Sequence, residues 1–209
     1  MADEKGLAMK KIFVVGGMGA GKSTARVALV DAGLEFIDLD KVGHDILTWE
    51  IVKEDVRAAF GDDVFDADGE VNRSALAAKA FVNPASTRKL NRITMPRIED
   101  AFRDKLDELE AAGVPAVVVE YSVFKNRQMS LAYLADVVIA VLAPIDMRIK
   151  RAVAAGWDEA DVRRRIAQQI TDAERIEGSD VVFNNDSTKE ELYNKVRAWW
   201  DEYKAAEGL

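Results

Sequence analysis

The chain of 209 residues contains no cysteine and a single histidine, His44. Without cysteine there can be no disulfide, thiolate metal site or thiol nucleophile. One histidine also argues against a histidine-rich metal site and a Ser-His-Asp hydrolase. A divalent metal would therefore have to be a hard ion held by oxygen ligands and phosphate, which favours Mg²⁺ over Zn²⁺.

Long apolar runs and excess positive charge are also missing from the sequence. No stretch approaches the roughly 20 apolar residues of a membrane span, and the charged start, Met1–Lys5, is not a secretory signal. We therefore expect a cytoplasmic protein with no membrane partner. The net charge of −8 argues against binding along a nucleic-acid backbone. Hydrophobic residues at 49% and charged residues at 32% are typical of a globular domain with a full core.

The N-terminal part of the chain has the pattern of a parallel crossover unit. Residues 11–15 are apolar and rich in β-branched side chains, which predicts a buried strand, and residues 22–32 predict a helix that ends at Gly33. Residues 35–40 predict a second strand, so that strand, glycine loop, helix and strand follow in order. Further strands are predicted at 114–120, 136–142 and 180–183, with a final helix at 188–206.

The segment Gly16–Ser23 matches the P-loop pattern G-x-x-x-x-G-K-[ST] and lies between a predicted strand and a predicted helix. Its glycines let successive N–H groups point inward as an anion nest, and the helix presents its positive end to the same phosphates. Lys22 supplies a charge for the β and γ phosphates, and the Ser23 hydroxyl ligates Mg²⁺. The predicted ATP contacts are Gly17, Met18, Gly19, Ala20, Gly21, Lys22, Ser23 and Thr24.

A P-loop by itself does not identify the reaction. The Asn-Lys-x-Asp signature of GTPases is absent, and the strand that ends at Glu120 only half fits the acidic strand end of a large ATPase. Small size and a mostly helical middle, residues 41–110 with breaks predicted at Pro84 and Pro96, favour a small-molecule kinase. The alternatives are a nucleoside monophosphate kinase or another metabolite kinase of the same fold, and a non-catalytic ATP-binding protein.

A series of shorter motifs follows the P-loop along the chain. They are Ile37–Asp40, Phe60–Gly61, Asp68–Leu76, Ala143–Arg151, Arg165–Gln169 and Ser179–Asn185. In this order the motifs resemble the dephospho-coenzyme A kinase family over nearly the whole chain. The resemblance implies transfer of the ATP γ-phosphoryl group to the 3′-hydroxyl of dephospho-coenzyme A, with Mg²⁺ as cofactor and these small molecules as the only partners of a monomer or weak homo-oligomer.

The resemblance also implies roles for individual residues. Asp40 matches the family's candidate base, with Asp38 as the alternative because residues two apart on a strand share a face. Arg73 matches an arginine near the acceptor, and Asn185 a position near the adenine of ATP. The basic residues Arg148 and Arg151, and the cluster Arg163–Arg165, suggest lid arginines that neutralise the transferring phosphoryl group. Arg148 is the predicted catalytic arginine and Arg151 a predicted substrate contact.

The predicted fold is an α/β P-loop kinase: a three-layer sandwich around a parallel sheet of about five strands, in a single domain 1–209. Its core comprises residues 10–40 and 111–209, with a helical acceptor-binding insertion at about 41–110 and a lid at about 147–170. Two features depart from the family pattern. The pair Ala154 and Ala155 stands where another arginine is usual, and Met95 stands where a histidine is usual.

Overall fold

The computed structural model of the protein describes residues 8–128 and 131–209. Its strands are β1 (Lys10–Gly16), β2 (Glu35–Asp38), β3 (Ala116–Glu120), β4 (Val137–Leu142) and β5 (Val181–Asn184). Its helices are α1 (Lys22–Val30), α2 (Leu39–Asp45), α3 (Glu50–Phe60), α4 (Arg73–Ala80), α5 (Pro84–Ala111), α6 (Ile145–Ala154), α7 (Glu159–Ala167), α8 (Asp172–Glu177) and α9 (Lys189–Glu207).

The strands form one parallel sheet in the order β2-β3-β1-β4-β5. The sequences of parallel strands that are buried on both faces are continuous apolar runs, whereas half-buried strands alternate apolar and polar residues. β4 fits the first pattern, because it is buried along its whole length. The carboxyl ends of all the strands meet at one edge, where β1 continues into the P-loop. The predicted parallel sheet of about five strands between helices is confirmed.

One face of the sheet is covered by α1 and α9, which also pack against each other. Leu29 of α1 and Leu192, Val196 and Trp200 of α9 are buried there against apolar side chains of the strands. Removing this much apolar surface from water is the main favourable term in folding. The packing fixes both ends of the P-loop on a rigid support, since β1 enters it and α1 leaves it.

The chain forms two compact units. One consists of the residues up to Asp38 together with Leu109–Leu209, and it contains the whole sheet. The other, Leu39–Glu108, contains α2, α3, α4 and most of α5. The acceptor-binding insertion predicted at about 41–110 falls on this helical unit. Within residues 8–128 and 131–209, no helix is both long and apolar enough to cross a bilayer.

The predicted helix break at Pro96 is wrong. Pro84 is the first residue of α5, where its missing N–H costs nothing, but Pro96 lies inside the same helix. The ring removes one backbone donor at this turn, while the Arg97 side chain donates to the carbonyl of Ile93 at 2.8 Å. The carbonyl that loses its helical partner is that of Arg92, four residues before the proline, so the Arg97 bond does not replace it, and the helix nevertheless continues through Pro96.

The second strand ends earlier than the sequence predicts. It stops at Asp38, and α2 begins at Leu39 with Asp40 in its first turn. An acidic residue in the first turn is favoured because it faces the positive end of the helix dipole. The argument that Asp38 and Asp40 share one strand face therefore fails.

Candidate functional site: the P-loop and its supports

The loop that joins β1 to α1 has a backbone that requires glycine at two positions. Gly19 and Gly21 have φ values of +73° and +110°, in the left-handed region that residues with a side chain rarely adopt. Gly21 also precedes α1 as its N-terminal cap and carries no side chain that would occupy the helix end. No side chain caps the start of α1, a feature shared with helix ends that bind phosphate.

Met18, in the middle of the loop, is held through both of its backbone groups. Its N–H donates to Oε1 of Gln169 at 3.0 Å, and its carbonyl accepts from Nε of Arg148 at 3.0 Å. A second nitrogen of Arg148 donates to the same Gln169 oxygen at 2.8 Å. Two side chains from distant parts of the chain therefore close a hydrogen-bonded ring around one residue of the loop.

Arg148 is buried, with 4% of its surface exposed. Burial lowers the pKa of its guanidinium from the ordinary arginine value, and Asp172 partly offsets the effect from 3.7 Å. A Cβ added to Gly17 would overlap this guanidinium, so close packing explains the glycine there. This geometry differs from the predicted one, in which Arg148 belongs to a lid and faces the transferring phosphoryl group. The contacts place it against the backbone of the loop.

Asn185 also lies against the P-loop. Its Nδ2 donates to the carbonyl of Ala20 at 2.7 Å, and its side chain accepts from Arg151 at 3.3 Å. Only 2% of Asn185 is exposed, and a Cβ on Gly21 would overlap its amide. One amide hydrogen and the amide oxygen are thus engaged by the protein, and the predicted pairing of Asn185 with adenine stays a prediction.

Arg151 lies one helical turn after Arg148 and is half-buried. It donates to the carbonyl of Asn185 at 3.1 Å and to that of Ser187 at 3.4 Å, in addition to the Asn185 side chain. It therefore holds the loop after β5. The two arginines share a face of α6, as their spacing predicts.

The remaining predicted lid arginines are engaged on α7 itself. Arg163 pairs with Glu159 at 2.8 Å, and Arg164 and Arg165 both pair with Asp161. Arg165 also lies over the ring of Trp157. These pairs are three or four residues apart on an exposed helix, where such contacts add little stability.

Oxygen ligands suited to Mg²⁺ lie on the sheet unit. Ser23 is exposed in the first turn of α1, while Asp38 and Glu120 end β2 and β3 and are direct neighbours in the sheet register. Glu120 approaches Arg26 at 3.3 Å. Among the described residues no group of three or more acidic or histidine side chains could hold a metal by itself. This donor set fits an ion that arrives with nucleotide phosphates and keeps water ligands.

The predicted acceptor residues belong to the helical unit. Asp40 is exposed in the first turn of α2, and Arg73 is exposed at the start of α4. The helix that Arg73 begins is capped by Asn72, whose side chain accepts from the N–H of Ala75 at 3.1 Å. Both residues are therefore on helix starts with solvent access. Their roles stay predictions.

The sheet order, the P-loop after the central strand and the lysine at the start of α1 define a P-loop nucleotide-binding domain. The family model of dephospho-CoA kinase matches residues 11–191. A dephospho-CoA kinase of Corynebacterium efficiens is 39% identical over 186 residues, which cover 88% of this chain and 92% of the relative. The chain belongs to the dephospho-CoA kinase family.

Solved structures show the same fold. A protein from Thermus thermophilus superposes with a TM-score of 0.79 at 24% identity, covering 93% of this chain and 97% of its own. A dephospho-CoA kinase from Campylobacter jejuni superposes with a TM-score of 0.63 at 20% identity, again covering 93% and 97%. At these identities the likeness supports the architecture and says nothing of individual site residues.

Proposed function

We propose that this chain transfers the γ-phosphoryl group of ATP to the 3′-hydroxyl of dephospho-coenzyme A, giving coenzyme A and ADP. The observation that carries the proposal is the family match over residues 11–191, on a chain whose P-loop has the backbone of a phosphate nest. In the reaction the 3′-oxygen bonds to the γ-phosphorus, and the bond from that phosphorus to the β,γ-bridging oxygen breaks. The hydroxyl proton passes to a carboxylate.

The P-loop binds the phosphates of ATP in this proposal. Backbone N–H groups of the loop and the start of α1 donate to the phosphate oxygens, and Lys22 adds a positive charge at the β and γ phosphates. Ser23 would hold Mg²⁺, which neutralises charge on the phosphates when it is bound. Because phosphoryl transfer needs little covalent chemistry from the protein, most of the rate enhancement would come from positioning and charge neutralisation.

Asp40 is the proposed base and Asp38 the alternative. Asp40 is exposed in a first helical turn, a position that suits a residue acting on a substrate that enters from solvent. Arg73 is the proposed acceptor contact, since an exposed guanidinium suits a phosphate or a ribose edge. Arg151, half-buried beside the loop after β5, stays a candidate for a substrate phosphate.

The proposal is tested by ADP release with a panel of acceptors: dephospho-coenzyme A, AMP, CMP and no acceptor. We expect turnover with dephospho-coenzyme A well above the ATPase background. A clear preference for a mononucleotide would replace the proposal with a nucleoside monophosphate kinase. ATP binding without any turnover would leave a non-catalytic ATP-binding protein.

Replacing Asp40 by Asn tests the base. General base catalysis contributes about 10²- to 10⁴-fold, so kcat should fall by that order while ATP binding stays within about twofold. Asp45→Asn is the matched control, because Asp45 is also an exposed aspartate of α2. If Asp40→Asn turns over like the wild type, Asp38→Asn becomes the variant to measure.

A further inference from the structure

Gln169 is a side chain that the proposed reaction does not use, yet it contacts the nucleotide loop directly. It lies between the end of α7 and the start of α8, half-buried. One oxygen, Oε1, accepts both the Met18 N–H at 3.0 Å and an Arg148 nitrogen at 2.8 Å. Two donors converging on one atom identify it as the amide oxygen, since the amide nitrogen could accept neither.

The Met18 side chain is anchored to the same part of the chain. It packs against an apolar cluster formed by Ile149 and Ala152 of α6 and Val162 of α7. The cluster is separate from the apolar layer between the sheet and α1 and α9. Met18 is therefore fixed in three ways: by its N–H, by its carbonyl and by its side chain.

The groups that hold Met18 are themselves well supported. Asp172 contacts Arg148 at 3.7 Å and Arg175 at 2.7 Å, and Arg175 is 3% exposed. Thr171 and Glu174 form a capping box at the start of α8, two residues after Gln169. A side chain between two fixed helix ends loses little further freedom when it makes its hydrogen bonds.

The geometry points to Gln169 as a positioning residue for the nucleotide phosphates, acting with Arg148 through the backbone of Met18. Met18 immediately precedes Gly19, the first loop residue in the left-handed region. Holding Met18 limits the conformations open to the turn that follows, so the N–H groups that receive the phosphates are arranged before ATP arrives. A preformed anion site does not have to order itself on binding, which raises affinity and stabilises developing charge.

The inference predicts a specific loss in nucleotide affinity. Gln169→Leu keeps the approximate size of the side chain and removes the acceptor for both donors. One to two hydrogen bonds of ordinary net strength correspond to a factor of roughly 5 to 30, so Kd for Mg²⁺-ATP should rise by about tenfold. The Kd for dephospho-coenzyme A should stay within about twofold.

Two further variants separate positioning from general stability. Gln169→Glu retains an acceptor oxygen for Met18 and Arg148, so its Kd for ATP should return to within about threefold of the wild type. Gln168→Leu is the matched control, because the neighbouring Gln168 is exposed and should tolerate the same change. An ATP affinity for Gln169→Leu equal to that of Gln168→Leu would overturn the inference, and so would an equal loss in Gln169→Glu.

Hydrogen exchange of the wild-type protein without nucleotide gives a test that needs no variant to fold. The Met18 amide should exchange slowly, and fast exchange at the rate of an open loop would contradict the inference. The inference rests on the proposed use of ATP, and the two fail differently. Absence of ATP binding in the wild type would overturn the proposed function, whereas normal binding by Gln169→Leu would overturn only the role of Gln169.

Discussion

Replacing Asn185 by Ala removes a support that joins three parts of the nucleotide site. The amide holds the carbonyl of Ala20 in the P-loop at 2.7 Å, and its oxygen accepts from Arg151 of α6 at 3.3 Å. The side chain is 2% exposed, so the carbonyl that loses its partner is poorly placed to find water. The variant therefore affects both stability and the shape of the loop.

The size of the effect follows from the two hydrogen bonds. A buried acceptor left unsatisfied costs about 1–3 kcal/mol, and the bond from half-buried Arg151 contributes about 1 kcal/mol. The free energy of unfolding should therefore fall by about 2–4 kcal/mol. For a chain of this size each kcal/mol lowers Tm by about 2–4 °C, which gives a decrease of roughly 4–16 °C. Thermal and urea unfolding measure this directly.

Nucleotide discrimination distinguishes a support of the loop from a contact to the base. If Asn185 acts through Ala20, Asn185→Ala should lower the affinities for ATP and GTP by the same factor, because both nucleotides carry the same phosphates. Asn185→Asp should show the same loss of nucleotide affinity, because it has no donor for the Ala20 carbonyl. This variant keeps an acceptor for Arg151, so the loss would be due to the Ala20 bond. A selective loss of ATP affinity, with GTP affinity unchanged, would refute the reasoning and support the predicted adenine contact.

Three further predictions follow from packing and charge. Gly17→Ala puts a Cβ onto the Arg148 guanidinium, which is fixed by its bonds to the loop. The Kd for ATP should therefore rise by at least about tenfold in a binding titration, while the Kd for the acceptor should stay unchanged. The hydrogen bond from Arg165 holds the pKa of Asp161 below its usual value, so its contribution to stability is present above roughly pH 4 and is lost as the pH falls further. Asp161→Asn should accordingly show a shallower loss of unfolding free energy than the wild type between about pH 5 and pH 3, and equal slopes would contradict this. Trp200 is 3% exposed, so Trp200→Ala leaves a cavity in the core. Urea unfolding should show a free energy of unfolding lower by about 3–5 kcal/mol. A loss below about 1 kcal/mol would contradict this, because it would show that neighbouring side chains fill the cavity.

The sheet and the P-loop could be predicted because their signals are local. Buried parallel strands are continuous β-branched runs, as in Val137–Leu142, and the phosphate nest needs glycines at set intervals. The end of β2 was less predictable. The acidic sequence around Asp38 and Asp40 suits a strand exit and a helix start equally well, so residue types place the boundary between β2 and α2 two residues too late.

The supports of the loop could not be predicted from residue patterns. Gln169 and Arg148 bond to Met18 from 151 and 130 residues further along the chain, and Asn185 bonds to Ala20 from 165 residues away. These bonds go to backbone atoms, which every residue carries, so the loop sequence holds no sign of its partners. The same bonds hold Arg148 and Asn185, which the sequence predicts to contact the ligand, against the loop backbone. Gln169, which the sequence does not single out, is held there as well.

The identity of the phosphorylated product tests the central claim most directly. The wild-type protein with Mg²⁺-ATP and dephospho-coenzyme A should form one equivalent of ADP for each coenzyme A, and phosphorus NMR should show the new phosphate as a monoester on the 3′-oxygen. Release of inorganic phosphate without a new monoester, or a phosphate on any other oxygen of the acceptor, would contradict the account.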